Sequence, residues 1–142
     1  MIGLQGPPGN GKTTLAKDGI AKALGRPFTL ITLGGMTDSS HLVGHDYTYV
    51  GSTWGLLVDK IMETKCMNPV ILIDELDKVS QTEKGREIIG ILTHLTAPSQ
   101  NEHFQDKYFT GIDFDFSKAF IVFTYNAPRL IDPILRDRIT VI

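Results

Sequence analysis

The hydrophobic positions of this chain form short continuous runs that alternate with stripes of helical period. Residues 2–5, 27–33, 70–73, 119–124 and 139–142 read as five β-strands, rich in β-branched and aromatic side chains. Val70-Ile71-Leu72-Ile73 is apolar at every position, as a central parallel strand covered on both faces requires. Ala16, Ile20, Ala23 and Leu24 fall at i, i+4, i+7 and i+8, which predicts a helix over residues 12–24 that stops at Gly25. A second helix begins at Ser52, with Leu57, Val58, Ile61 and Met62 along its buried side, and fades near Cys66 before the Asn68-Pro69 break. Ile88, Ile91, Leu92 and Leu95 predict a third over residues 85–96, halted by Ala97-Pro98, and a short one is expected over 130–137. Asp38 can cap a helical turn through Leu42, ahead of a glycine-punctuated loop over 44–51. Residues 99–113 carry no period and receive no element. Alternating strands and helices specify an α/β domain: a parallel sheet with right-handed crossovers.

One polar interruption changes this from a fold into a site. Gly6-Pro7-Pro8-Gly9-Asn10-Gly11-Lys12-Thr13, followed by Thr14, fits G-x-x-x-x-G-K-[ST]. It lies between a predicted strand and a predicted helix, the context that phosphate loops need. Glycines let successive backbone N–H groups turn into one concavity around phosphate oxygens. Lys12 offers a compact charge to the β- and γ-phosphates, and the Thr13 hydroxyl can ligate Mg²⁺. A glycine-rich turn with an incidental lysine is the plain alternative, and the flanking elements argue against it.

Asp74-Glu75 follows the third strand directly. A buried strand projects its last side chains past the carboxyl edge of the sheet, where open α/β sheets bind ligands. Asp74 suits the magnesium ion or its waters, and Glu75 can deprotonate an attacking water. Asn126 follows the fourth strand and would emerge at the same edge, where a neutral amide can bridge water and a γ-phosphate oxygen. Taken alone, the carboxylates would be solvated strand-end charges and Asn126 a turn residue.

Composition narrows the partners. The chain has 142 residues, 42% hydrophobic and 21% charged, the size and balance of one globular domain. Its net charge of −2 gives no basic footprint for nucleic acid, which is disfavoured. No apolar run is long enough for a membrane span, and no signal-peptide pattern is visible. Cys66 is the single cysteine, so no internal disulfide can form and a reducing compartment is expected: the cytoplasm, or the mitochondrial matrix in a eukaryote. His41, His45, His94 and His103 are scattered without metal-ligand spacing.

The phosphate loop, the apolar strand ending in Asp-Glu and the strand-end Asn together resemble an AAA+ ATPase. The resemblance narrows to the Lon protease family across nearly the whole chain. It rests on residues 21–26, Leu33-Gly34-Gly35, Gly44-His45, Thr48-Tyr49-Val50-Gly51, Asn68-Pro69-Val70, residues 74–78, Phe114-Asp115-Phe116-Ser117-Lys118 and Asp137-Arg138. It implies a three-layer core with five parallel strands in the order 5-1-4-3-2. It further implies ATP and Mg²⁺ as ligands, a homo-oligomeric ring, hexameric in the full-length parent, and an unfolded polypeptide as substrate. Tyr49-Val50 matches the pore loop that grips that polypeptide, and Arg138 matches the arginine finger that reaches the next subunit's γ-phosphate.

Some positions depart from the family. Asp46-Tyr47 stands where two basic residues are usual, Trp54 replaces the small or proline residues expected after the pore-loop glycine, and Arg136 just ahead of Arg138 is a rival for the finger. Residues 1–142 are expected to be the α/β core alone, with the family's helical lid and Ser-Lys protease domain outside it. Two other readings remain: an AAA+ loader acting on nucleic acid, and a nucleotide-binding module inactive in isolation.

Overall fold

The computed structural model describes residues 1–6, 11–33, 55, 57, 59, 62, 68–79, 83–98, 100–106 and 113–141. The expected pore loop, the turn after Asp38, Cys66 and four phosphate-loop positions (Pro7, Pro8, Gly9 and Asn10) lie outside them.

Four parallel strands form the body of the sheet. These are β1 (Ile2–Gln5), β2 (Phe28–Thr32), β3 (Val70–Asp74) and a strand over Phe120–Tyr125, called β6 because a short hairpin precedes it. That hairpin, β4 (Phe104–Gln105) with β5 (Asp113–Phe114), is antiparallel and sits in the stretch for which the sequence specified no element. It has only two residues per strand, too few to leave a period. Its Asp113 accepts from Gln105 and meets His103, and these contacts hold its carboxyl below the usual range. At the free side of β1, Thr140–Val141 (β7) pairs in parallel with Ile2 and Gly3, giving the spatial order β2-β3-β6-β1-β7.

The period of two along the strands sorts the core into two layers. Val70 and Leu72 of β3, Val122 of β6 and Leu4 of β1 join Ala16 and Ala21 on one face. Ile71, Ile73, Ile121 and Phe123 join Ile88, Leu92 and Leu95 of helix α2 (Glu83–Thr96) on the other, together with Leu135 of helix α3 (Pro133–Arg138). Each such aliphatic side chain removed from water contributes about 1.5–3 kcal/mol, so both layers are needed to hold the central strands in place.

The helix after the phosphate loop, α1, departs from the expected face. It begins as α-helix over Lys12–Thr14, is π-wound over Leu15–Ala21, and returns to α over Lys22–Leu24. In a π-helix hydrogen bonds run i→i+5, so the buried side passes from Ala16 to Ala21 instead of continuing to Ala23. Leu24, expected in the core, is 48% exposed. Met62, expected on a buried face, is 43% exposed, whereas Leu57 of the same helix is fully buried. Gly25 ends α1 as expected, with φ of 66° in the left-handed region that favours glycine.

Gly3 is required by packing. A Cβ there would collide with Ile139 Cγ2 and stand 2.9 Å from Tyr125 Cε1. Gly3→Ala should therefore destabilise the domain by about 1–3 kcal/mol, the usual cost of overpacking a filled core. Chemical denaturation with an unchanged midpoint would refute this.

Candidate nucleotide-binding site

The carboxyl ends of β1, β3 and β6 meet at one edge of the sheet. The Gly6 N–H donates to the Tyr125 carbonyl (3.1 Å), which fastens the start of the phosphate loop to the end of β6. At the loop's far end Gly11 takes φ of 76° and ψ of 18°, a left-handed turn that feeds the chain into α1. The Gly11 carbonyl accepts the Leu15 N–H (2.9 Å), so the free N–H groups of the first helical turn face the loop. The Lys12 ammonium donates to the Gly6 carbonyl, arching across the mouth of the loop. Thr13 and Thr14 are exposed beside it.

Opposite the loop, Asp74 is the last residue of β3. Its Oδ1 accepts from the Thr124 hydroxyl and from the Glu75 N–H (3.0 Å). Thr124 is fully buried, so its hydroxyl is committed to this carboxylate. Glu75 has φ of 61° and ψ of 44°, and among the described residues it alone takes a positive φ without being glycine. Such a backbone costs of order 1–3 kcal/mol and persists only where its surroundings hold it. The Lys78 N–H donates to the Glu75 carbonyl (3.0 Å), closing a turn over Leu76–Lys78 that buries Leu76 and Asp77. Asp77 Oδ2 accepts from the N–H groups of Asn126 (3.1 Å) and Ala127 (2.8 Å). Burial raises the Tyr125 phenol above its ordinary value, so that side chain stays neutral.

A cavity of about 450 Å³ lies between these two walls. It is lined by Gly11, Lys12, Thr13 and Thr14 on one side and by Asp74, Glu75 and Asn126 on the other, with Asp77, Lys78 and Tyr125 completing it. All the expected cis residues that are described, apart from Gly6 at the loop's entry, line this one cavity. Thr124, Tyr125, Asp77 and Lys78 were given no role by sequence reasoning. Thr124 and Tyr125 are hidden in an apolar strand, whereas the spacing of Asp77 three residues after Asp74 is a signal that was available.

Arg138 is not brought to the cavity. Its Nη1 donates to the Thr93 carbonyl (2.6 Å) and lies 3.2 Å from the Thr96 hydroxyl, at the end of α2. Arg136 is exposed and lines a separate groove with Arg86 and Arg129.

The donor set suits a magnesium–nucleoside triphosphate. One ammonium and a helix N-terminus face phosphate charge, while a hydroxyl and a carboxylate stand across from each other for an oxygen-loving cation. Among the described residues no cluster of three or more His, Cys, Asp or Glu could hold a metal without the nucleotide's own oxygens.

Fold and site together define a phosphate-loop nucleoside triphosphatase core. The chain belongs to the ATPase family associated with various cellular activities (AAA), whose profile matches residues 2–142. Membership implies ATP binding, typically with Mg²⁺. The chain is 48% identical over 140 residues to a Lon protease homolog of Acanthamoeba polyphaga mimivirus, covering 98% of this chain and 14% of that protein. It is 45% identical over 139 residues to a Lon protease of Metamycoplasma arthritidis, covering 98% of this chain and 16% of that one. It is 43% identical over 142 residues to a Lon protease of Fusobacterium nucleatum, covering 100% of this chain and 18% of that one. The chain thus spans less than a fifth of the length of these curated relatives.

Among the described residues Lys12 supplies the one ammonium on the loop side of the cavity, and Lys12→Ala removes it. ATP affinity measured by calorimetry should fall by roughly 10–150-fold, the equivalent of one charged hydrogen bond of about 1.5–3 kcal/mol. Unchanged affinity would remove Lys12 from the phosphate site.

Proposed function

We propose that this chain is the ATPase core of a Lon-like AAA+ machine that hydrolyses Mg-ATP in a ring and uses the cycle to unfold and thread polypeptide, in the parent protein toward proteolysis. The observation that carries the reading is the convergence of Lys12, Thr13, Asp74, Glu75 and Asn126 on one cavity. The likeness to Lon proteases along the whole chain supports the polypeptide as substrate. A net charge of −2 speaks against a nucleic-acid loader.

Each residue then has a defined task. The loop from Gly6 through Thr14 cradles the phosphates, with Lys12 opposing the charge of the β- and γ-groups. Thr13 and Asp74 would hold Mg²⁺, which would supply positive charge against the triphosphate. Glu75 accepts the proton of the attacking water, and the Asn126 amide orients that water without adding charge. Tyr49 and Val50 grip the polypeptide in the pore, a broad amphipathic ring contacting any sequence. Arg138, which among the described residues does not line its own chain's cavity, serves the neighbouring subunit's γ-phosphate.

In this reading Thr140–Val141 is the fifth strand of the order 5-1-4-3-2, and residues 1–142 form one ATPase domain of a larger protein that also carries a lid and a protease. The setting is a reducing one, cytoplasmic in a bacterium. Among the described residues no helix is long and apolar enough to cross a membrane.

The test uses the full-length parent. Its ATPase should be stimulated by an unfolded protein and not by single-stranded DNA. Glu75→Gln should bind ATP normally yet hydrolyse it about 10²–10⁴-fold more slowly, the range for losing a general base. Wild-type turnover in that variant would exclude Glu75 as the base, and stimulation by DNA alone would favour a loader.

Arg138→Ala and Glu75→Gln should each be inactive as pure rings and should recover hydrolysis when mixed. The Glu75→Gln subunit still lends its arginine to a neighbour whose base is intact, and such a finger is worth about 10³–10⁵ in rate. Mixed rings without recovery would turn the assignment to Arg136.

A further inference from the structure

We infer that Asp77 is a positioning residue of this site: its carboxylate fastens the backbone at Asn126 to the turn that carries Glu75, so that the water-orienting amide and the base are held as one unit. The inference rests on the function proposed above and adds a residue to it.

The ladder between β3 and β6 runs in register from Val70↔Phe120 to Ile73↔Phe123. Beyond that point the two strands no longer pair with each other, although Asp74 still pairs with Thr32 of β2 and Thr124 and Tyr125 with Leu4 and Gln5 of β1, and the functional groups lie at and just past these strand ends. Two side-chain contacts continue the connection. The Thr124 hydroxyl donates to Asp74, and Asp77 Oδ2 takes both the Asn126 and the Ala127 N–H. Asp77 is only 7% exposed, and a carboxylate so deeply buried is costly unless charged hydrogen bonds compensate it. The two backbone donors supply them. Because Asp77 grasps main-chain N–H groups, the Asn126 side chain is left exposed at the cavity wall.

The same carboxylate bears on Glu75. A left-handed backbone at a glutamate relaxes unless the residues around it are fixed. On the carboxyl side, Lys78 N–H closes the turn onto the Glu75 carbonyl, buried Leu76 anchors it in the core, and Asp77 ties it to the end of β6. Releasing Asp77 frees the Asn126 segment and removes one of the three restraints on the Glu75 turn. Lys12 and Thr13, which carry ground-state binding, stand on the opposite wall and are unaffected.

The full-length parent is assayed as wild type, Asp77→Asn, Asp77→Ala, Asn126→Ala and the Asp77→Ala/Asn126→Ala double variant, with kcat and KM for ATP and calorimetric nucleotide affinity. Asp77→Ala should lower kcat by roughly 100-fold, the scale of a small misplacement of reacting groups, with KM and ATP affinity changed by less than about twofold. Asp77→Asn keeps an oxygen acceptor without its charge and should regain about tenfold of that loss. The double variant should lose clearly less than the product of the two single losses, because with the Asn126 amide gone Asp77 has only the Glu75 turn left to position.

A residue that only stabilised the fold would lower kcat and ATP affinity together and would add its cost in the double variant; either result overturns the inference. Should Asp77→Ala not fold, Asp77→Asn alone and combined with Asn126→Ala carries the same comparison. A wild-type parent that hydrolyses no ATP overturns the function and this inference together. Active wild type beside Asp77→Ala of unchanged kcat overturns the inference alone.

Discussion

The parallel register of β3 against β6 fixes where every group in the cleft stands. Ile71 pairs with Ile121 and Ile73 with Phe123, all four turned toward α2, so the residues that follow, Asp74 and Thr124, both turn toward α1 and the phosphate loop. Side chains alternate with a period of two, and a slip of one residue would turn Asp74 to the opposite face. That slip is opposed by two apolar layers at once, because Val70 and Leu72 are buried against one helix layer while Ile71 and Ile73 are buried against the other. The chemistry at the edge is therefore held by hydrophobic packing further back along the strands.

Much of this was legible in the residues. A short run rich in β-branched residues, apolar at every position and bounded by Asn68-Pro69, suits a strand covered on both sides, and the β3 run led directly to its acidic end. The phosphate loop between a strand and a helix, and Asn126 after the next strand, predicted which groups would share an edge. What stayed hidden is tertiary in origin. The β4–β5 hairpin is too short to carry a period. Thr124 reads as an ordinary β-former until Asp74 is found beside its hydroxyl. The left-handed backbone at Glu75 leaves no mark in sequence, since glutamate is not a residue that favours it.

Helix α1 shows why periodicity fails where it does. A stripe at i, i+4, i+7 and i+8 presumes 3.6 residues per turn, and the π winding of Leu15–Ala21 widens that turn. Ala16 and Ala21 then share the buried face, small enough to let the helix lie close over Leu4 and Val122. Leu15 and Leu24 are carried outward. Gly19 fits within this segment because a Cβ there would meet Leu15 Cδ1 at 3.2 Å, a tight contact that its hydrogen avoids. Close seating of α1 matters, since its first turn supplies the N–H groups that face the loop.

On the proposed trans role, the tether of Arg138 ties assembly to catalysis. The guanidinium lies at the C-terminal end of α2, where carbonyl oxygens attract a cation, and the Thr93 carbonyl accepts from it at 2.6 Å. These acceptors are neutral. A γ-phosphate offers a guanidinium full negative charge and a geometry that accepts two parallel hydrogen bonds. The exchange favours the phosphate only when a neighbouring subunit presents it, so the tether leaves a lone subunit's arginine engaged at home. Arg136 has no such anchor among the described hydrogen bonds and stands exposed beside a groove with Arg86 and Arg129. Its position suits general attraction toward an acidic surface, whereas Arg138, whose path is already constrained by Thr93 and Thr96, is the side chain proposed for a single defined contact with one phosphate.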